Sequence, residues 1–369
     1  MNQLFRWDQM GLFLLALAAG ILPFAVPEVC AAALREGLTL CCGPLLLSLF
    51  PFLVVSRLLI QCPESDLLAL PFRLAAWGIG IRTPCAARVL CIGFLGGFAP
   101  AASAAAQAVR TGQLTVEEAD ALLPACICSG PSFVVLTVGQ SLLGSAELGV
   151  LLFASQITAN YLTAALLNRF AGVRSVKPGS AAPASPAPPR LDEILADAAI
   201  TYCKLCGFIL FFRMLAAGAG ALLPAGAGTL CAILLEVCSG CDLASRTGRW
   251  GSLLCCAALS VQGLSVLLQV RTICPPEMTL RPLYRARMLH LPLSLALFYL
   301  LLPGGEADVF STLPARVLLM RRVPPDCALL VFAVCCMAAC TLRSGIRQVE
   351  QKQMARNAGG CCINSKTLL

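Results

Sequence analysis

Charge and histidine are scarce in this sequence. Asp, Glu, Lys and Arg together make up only 12% of its 369 residues, whereas an ordinary soluble domain carries roughly 25%. Apolar residues make up 58%, and the mean hydropathy is +0.83. A soluble core could not bury that much apolar surface. The composition therefore excludes an ordinary soluble protein and indicates that the lipid bilayer is the main partner.

The excess of basic over acidic residues, 27 against 19, is modest and broken up by apolar runs. It does not form the continuous basic surface that nucleic acids need, so we expect no nucleic-acid partner. In a membrane protein the same excess carries information on orientation, because loops rich in Lys and Arg stay in the cytoplasm.

Residues that could support catalysis or hold a metal are also missing. The sequence has no nucleophile–base pair, Walker loop or carboxylate dyad, so we predict neither an enzyme nor a cofactor. His290 is the only histidine, and we expect it to pack or to lie at the interface. The 22 cysteines lie mostly in apolar runs, where a thiol behaves as a small hydrophobe. Two CxxC spacings, Cys203 to Cys206 and Cys238 to Cys241, lack further ligands, so no metal site is predicted.

Long uncharged runs dominate the chain, and a membrane-spanning helix needs about 20 largely uncharged residues. Nine such runs compete for the membrane: residues 8–28, 37–56, 88–110, 120–147, 147–169, 213–236, 249–271, 287–306 and 326–343. Not all of them need to cross, because some contain helix breakers. We therefore predict an all-α, polytopic integral membrane protein with about eight transmembrane helices plus re-entrant segments.

The chain divides at residues 171–190, whose Pro, Ala and Ser content favours a solvated linker. Around the linker we predict an N-terminal transmembrane helix (1–34), a first half (35–170), a second half (191–303), a C-terminal loop with a transmembrane helix (304–342) and a basic tail (343–369). The first helix is long and interrupted by Pro23 and Pro27, which favours a retained helix over a cleaved signal peptide. The linker and the tail are rich in basic residues, so we expect both to lie in the cytoplasm.

Residues 191–205 have apolar side chains at helical spacing, with Asp192 and Glu193 at the start. This pattern predicts an amphipathic helix at the membrane interface, which ends where the chain enters the membrane at Gly207. The alternative is a helix that covers other helices.

Helix breakers lie inside the uncharged runs of the first half. The stretch FLGGFAPAAS (94–103) contains Gly97 and Pro100, and CSGP (128–131) ends on Gly130 and Pro131. A break at membrane depth frees backbone groups that lipid cannot satisfy, so it is tolerated only beside protein or a polar cavity. Broken helices at corresponding places in two halves of a chain point to a transport site.

The second half repeats the order of helix, break and small-residue helix. The stretch SGCDLAS (239–245) aligns with GGFAPAAS (96–103), which pairs Gly240 with Gly97. Similarly, VQGLSVLL (261–268) aligns with CSGPSFVV (128–135), which pairs Gly263 with Gly130. We therefore predict two pseudo-repeated halves with structural breaks at these glycines.

Polar residues near the breaks are the candidates for binding a solute. Glu236 ends a long apolar run, so we predict that it binds a cation, hydrogen-bonds a solute or carries a proton, unless it is an interfacial anchor. Ser129 precedes Gly-Pro and either binds a solute at a helix start or simply caps that helix. Five further residues either line a cavity or join helices by hydrogen bonds: Gln262, Ser265 and Gln269 on one predicted helix face, and Ser103 and Gln107 at i, i+4.

Taken in order, these motifs resemble one family. GFLGGFAPAASAAAQ, RTGQLTVEEADALL and CSGPSFVV, followed by CGFILFF, LLEVCSG and SVQGLSVLLQV, are similar to the sporulation integral membrane protein of the YlbJ type. The likeness covers roughly residues 30–300. That family contains two copies of the nucleoside-recognition, or Gate, domain shared with concentrative nucleoside transporters and ferrous-iron permeases. The chain departs from the family in GFAPAA, where the family motif reads Gly-aromatic-Pro-x-Gly.

The resemblance implies a multi-pass protein in the cell membrane of an endospore-forming bacterium, with a role in sporulation and two Gate-like halves. By analogy of fold it also implies the passage or sensing of a small solute or ion, either nucleoside-like or a cation. The alternative is a non-transporting membrane scaffold that organises assembly of the spore envelope, its cortex or coat. An oligomer is compatible with either function.

Overall fold

The structure, a computed structural model, describes residues 2–61, 65–172 and 191–302. The first half contains α1 (Asn2–Ala25), α2 (Pro27–Cys42), α3 (Pro44–Gln61), α4 (Ser65–Leu68), α5 (Leu70–Gly78), α6 (Pro84–Gly96), α7 (Phe98–Arg110), α8 (Val116–Cys126), a π-helix (Ser132–Leu142) and α9 (Ala146–Ala171). The second half contains α10 (Leu191–Leu222), α11 (Ala225–Leu235), α12 (Val237–Ser245), a 3-10 turn (Gly248–Trp250), α13 (Gly251–Val261), α14 (Gly263–Ile273) and α15 (Arg281–Leu301).

All regular elements of this part of the chain are helical, which confirms the predicted all-α class. Most of the predicted linker (173–190), the C-terminal loop and helix (304–342) and the tail (343–369) lie outside the described residues.

Four helical stretches are long and apolar enough to cross a membrane: Pro27–Ile60, Ala146–Ala171, Leu191–Leu222 and Gly248–Ile273. Shorter apolar helices accompany them: Phe13–Ala25, Pro84–Gly96, Ser132–Leu142 and Ala225–Leu235. Two of the long stretches are not single helices, because α2 meets α3 at Gly43 and α13 meets α14 at Gln262. Length and composition thus suggest a membrane protein in which long helices pack beside interrupted ones.

Helices α6 and α7 form a tight pair, which we call hairpin 1. Gly97 joins them with φ 82° and ψ −164°, a conformation that is essentially restricted to glycine. The chain folds back at this point, since a Cβ on Gly93 would lie 3.2 Å from the Cβ of Ala101. Arg88 near the start of α6 donates to Gln113 just after α7, at 2.8 Å, so both open ends of the hairpin lie together. The alanine-rich α7 suits this close packing, because small side chains let backbones approach.

Helices α11 and α12 form the corresponding pair, hairpin 2. Glu236 joins them in an extended conformation, with φ −152° and ψ 127°. Here too the chain folds back, since a Cβ on Gly240 would lie 2.8 Å from the Cα of Ile233. The start of α11 packs against the end of α10, where a Cβ on Gly228 would lie 3.0 Å from the Cα of Gly220.

The two hairpins enter the helix bundle from opposite ends. We call the end at which α9 stops and α10 begins the linker end. Hairpin 1 opens there, because Glu118 and Ala121 near the start of α8 accept hydrogen bonds from Thr83, ahead of α6, and from Asn168, near the end of α9. Hairpin 2 opens at the far end, beside the last turns of α10. Each hairpin is followed by an interrupted passage through the bundle, formed by α8 with the π-helix after hairpin 1 and by α13 with α14 after hairpin 2.

Helix α10 is one uninterrupted helix of 32 residues, so the predicted change from an interfacial helix to a span at Gly207 is wrong. The physical reason is a single buried face that continues past that point: Ile194, Ala198, Tyr202, Leu205, Ile209 and Phe212. The hydroxyl of Tyr202 donates to the carbonyl oxygen of Cys41 in α2, at 2.5 Å. The first third of α10 therefore covers other helices.

Candidate functional site

The hairpin turns contact the breaks of the interrupted passages. In the first half, a Cβ on Gly97 would lie only 2.7 Å from the backbone nitrogen of Gly130. Gly130 itself belongs to the non-helical stretch between α8 and the π-helix. Real Cβ atoms essentially never approach another atom this closely. The crossing therefore requires glycine at position 97 for space as well as for backbone conformation.

The second half contains the same kind of crossing. Gly263 has φ 70°, and a Cβ there would lie 2.9 Å from the backbone nitrogen of Glu236. The preceding residue, Gln262, adopts the left-handed conformation with φ 64°, which side-chain-bearing residues rarely do. Both halves thus place a hairpin turn directly against the break of the passage that follows it.

The remaining predicted break residues lie near these crossings. Pro100 is the third residue of α7, and Pro131 directly precedes the π-helix. Gly240 lies inside α12, so the structure puts the turn of hairpin 2 at Glu236 instead. The alignment missed this turn because an extended glutamate needs no glycine. Gly240 serves close packing against α11, and its counterpart in hairpin 1 by position is Ala101.

Glu236 lies at the turn of hairpin 2 and is only 2% exposed. Its carboxylate accepts hydrogen bonds from the backbone nitrogens of Cys238, at 2.8 Å, and Ser239, at 2.7 Å. It therefore caps the start of α12, where the helix dipole stabilises a negative charge. An interfacial anchor would need an exposed side chain, whereas this carboxylate lies inside the protein. Two oxygens that each accept one bond retain lone pairs for a further donor.

A cavity of about 590 Å³, its mouth included, lies between the two crossings. It brings together three of the predicted site residues, Ser129, Glu236 and Gln269. Residues from both hairpin turns line it, including Gly96 and Phe98 from hairpin 1. The other lining side chains are largely apolar: Leu45, Leu49, Phe133, Ile209, Val237 and Val266. An apolar cavity with a few convergent polar groups is typical of a small-ligand site.

Gln269, which lines this cavity, has a hydrogen-bond acceptor without a partner. Its side chain is 2% exposed, and its Nε2 donates to the Oγ of Ser265 at 2.8 Å. Its Oε1 has no hydrogen-bond partner. Ser265 thus orients the amide, which leaves the acceptor end available. A buried acceptor without a partner destabilises the protein by about 1–3 kcal/mol. A bound solute that donates to this oxygen would remove that penalty.

The other candidates lie apart from this cavity. Gln262 caps the end of α13, so it does not share the face of α14 that carries Ser265 and Gln269. It is 1% exposed, and neither polar atom of its amide has a partner. Ser103 is buried within α7 with an unpartnered hydroxyl. Gln107 lies near the end of α7 and accepts a hydrogen bond from Arg110 at 3.3 Å.

A second buried polar cluster, formed by α9, α13 and α15, did not emerge from the sequence. Arg287 donates to the carbonyl oxygens of Ile127 and Ser260, and it is 7% exposed. The side-chain Nε2 of Gln156 donates to the Oγ of Ser260 at 2.9 Å. The backbone carbonyl oxygen of Gln156 lies 3.2 Å from Nε2 of His290. The signal was present, because Arg287 and His290 are three residues apart and therefore share one face of α15.

Within the three described ranges, no group of three or more His, Cys, Asp or Glu side chains is placed to hold a metal ion. No protein family, no curated protein and no solved structure matches this chain.

Proposed function

We propose that this protein passes a small polar solute or a cation across the membrane through the cavity between its two hairpins. The observation that carries the proposal is the convergence of Ser129, Glu236 and Gln269 on that cavity, where hairpins from opposite ends meet. Transporters are commonly built from halves of inverted topology, with the site at mid-membrane between broken helices. Hairpins that open at opposite ends of the bundle have that relationship.

The chemistry of the cavity indicates the class of solute. A carboxylate and a free amide oxygen are acceptors, and a serine hydroxyl can donate or accept. They favour a solute that presents hydrogen-bond donors or positive charge, such as a nucleoside-like molecule or a cation. The apolar lining suits a ring or another apolar body.

The resemblance to the YlbJ-type sporulation protein supports a more specific version of this proposal. The two halves would be Gate-like, and the protein would act in the cell membrane of an endospore-forming bacterium. In this version the chain would span the membrane eight times. Seven of the spans would be α1, α2–α3, α8 with the π-helix, α9, α10, α13–α14 and α15. The uncharged run 326–343, outside the described residues, would supply the eighth. The two hairpins would be the re-entrant segments.

The proposal can be tested with liposomes that contain the purified protein. The measurement is the uptake of each member of a panel of nucleosides and of monovalent and divalent cations. We expect uptake of at least one class by the natural protein and its loss in Glu236→Gln, which keeps an acceptor for the cap and removes the charge. Glu118→Gln is the matched control. Glu118 is also buried, and its carboxylate accepts a hydrogen bond from the backbone nitrogen of Thr115 at the start of α8, outside the cavity.

A sporulation assay in an endospore-forming host separates transport from the alternative. A transporter requires Glu236, so Glu236→Gln should lower spore yield as deletion does, at unchanged abundance in the membrane. A scaffold for the spore envelope would tolerate Glu236→Gln. Normal spore yield in that variant, together with no uptake of any solute, would overturn the transport proposal in favour of the scaffold.

A further inference from the structure

A second cavity lies at the linker end, where the ends of α3, α7 and α14 meet the first turns of α10. Its volume is about 630 Å³, mouth included. Its lining contains three cationic side chains and one carboxylate, together with hydroxyl groups and a few apolar residues: Arg57, Arg110, Lys204, Asp197, Thr201, Thr272, Ile200, Leu205 and Ile273. We call it the basic pocket. It is separate from the cavity between the hairpins and plays no part in the proposed passage of a solute.

The single carboxylate is already engaged. Nη1 of Arg57 lies 2.5 Å from Oδ2 of Asp197, and its Nη2 donates to the hydroxyl of Thr201 at 3.3 Å. Neither Arg110 nor Lys204 lies within ion-pair distance of a carboxylate among the described residues. The positive charge of Arg57 repels that of Arg110, and the negative charge of Asp197 offsets part of this repulsion. With three cationic side chains and one carboxylate, the lining of the pocket has an excess of two positive charges.

Helix dipoles account for only part of this charge. Arg110 ends α7, where the negative end of the helix dipole favours a cation. Lys204, however, lies well inside α10, more than three turns from its start, and the dipole gives no reason for a cation there. The acidic residue two turns before it in α10, Asp197, pairs with Arg57 instead. A bound anion would offset the repulsion among these three side chains.

The side chains of the site also match the chemistry of a phosphate ligand. Arginine binds phosphate oxygens through paired N–H groups, and lysine binds them as a point charge. Ile200, which lines the pocket, is 55% exposed, so an apolar side chain lies beside the basic groups. A phospholipid would place its headgroup on the basic groups and its chains on such an apolar side chain.

We propose that the basic pocket binds a phosphate group, carried either by an anionic phospholipid or by a soluble phosphate. The bound group bridges hairpin 1, through Arg110, to the second half of the chain, through Lys204. It thereby stabilises the packing of α14 against both α7 and α10.

The full chain purified in detergent allows a direct test. Native mass spectrometry measures binding of phosphatidylglycerol and of phosphatidylcholine, and thermal unfolding is followed against inorganic phosphate. The test variant is Arg110→Gln/Lys204→Gln, which spares the ion pair between Arg57 and Asp197. The control is Arg281→Gln/Arg285→Gln, which removes two exposed arginines at the same end that do not line the pocket.

The arms of the experiment distinguish the two sources. If the ligand is a lipid, the natural protein prefers phosphatidylglycerol, and the test variant binds it about 30-fold more weakly while the control retains the preference. If the ligand is soluble, inorganic phosphate raises the unfolding temperature of the natural protein and the control but not of the test variant. The proposal is overturned if neither probe binds, or if test and control variants lose binding equally.

Discussion

Arg287 of α15 donates a hydrogen bond to the carbonyl oxygen of Ile127, the residue at which the first interrupted passage breaks. The same guanidinium donates to the carbonyl oxygen of Ser260, at 3.4 Å, one residue before the end of α13. The last carbonyls of a helix have no partner within it. One buried cation thus satisfies the ends of two broken helices, one from each half, and the negative ends of both helix dipoles compensate its charge.

The first prediction concerns this contact. Arg287→Met keeps the length and apolar stem of the side chain. It removes the donor to the carbonyl oxygen of Ser260 and leaves that of Ile127 with only the long bond from Asn160, at 3.4 Å. We expect a loss of about 2–3 kcal/mol in the free energy of unfolding, measured as a lower unfolding temperature in detergent. Arg285→Met is the control, because Arg285 is exposed on the same helix. Equal stability of the two variants would mean that the carbonyls find water or another donor.

The second prediction concerns the first crossing. Gly97→Ala places a Cβ 2.7 Å from the nitrogen of Gly130 and forces alanine into a conformation that glycine alone adopts readily. The conformational term is about 1–3 kcal/mol, and the clash adds to it, so we expect poor folding or loss of uptake. Gly263→Ala should behave alike, for the same two reasons.

Two glycines in α1 serve as controls for that experiment. A Cβ on Gly11 or Gly20 meets nothing within 4 Å. Alanine at either position should be neutral or should stabilise the helix by about 0.5–1 kcal/mol. Abundance in the membrane and the unfolding temperature are the measurements. If alanine at position 97 were tolerated as well, the space between residue 97 and the backbone of Gly130 would have to be larger than this structure shows.

The breaks of the first half could be predicted from the sequence because they carry glycine and proline. Gly97 and Gly130 stand out in an apolar run, and the crossing needs them for conformation and space. The turn of hairpin 2 could not be found in this way. Glu236 turns the chain in an extended conformation that any residue adopts, so the alignment settled on Gly240, a glycine that serves packing.

Relationships between distant segments explain the other differences. Nothing in the local sequence tells that Ser129, Glu236 and Gln269 line one cavity, because they come from different helices. The role of Arg287 depends on the backbone carbonyl oxygens of Ile127 and Ser260. Every residue has a backbone carbonyl, so residue type does not show which one accepts this bond. Residue type thus indicates where a helix breaks, whereas packing decides what the broken ends contact.

The third prediction is the inverted orientation of the hairpins. Reporter fusions in the linker 171–190 and in the loop 275–279, between α14 and α15, should report the same side of the membrane. Fusions at Gly144 and Gly248, in open turns, should report the other. We expect the first side to be the cytoplasm, because the linker and the tail 343–369 are rich in basic residues. Fusions at Gly144 and in the linker that report the same side would contradict the arrangement.

The last prediction decides whether Gln269 lines the cavity or joins helices. Gln269→Leu keeps the side-chain volume and removes both the unpartnered Oε1 and the bond to Ser265. Removing a buried acceptor without a partner offsets the lost hydrogen bond, so we expect an unfolding temperature that is unchanged or higher. Uptake into liposomes should nevertheless fall, because the solute loses an acceptor. Gln107→Leu should leave uptake intact, since that amide bonds Arg110 away from the cavity. If Gln269→Leu instead lowers the unfolding temperature by several degrees with uptake retained, then the amide serves helix packing and the cavity binds its solute without it.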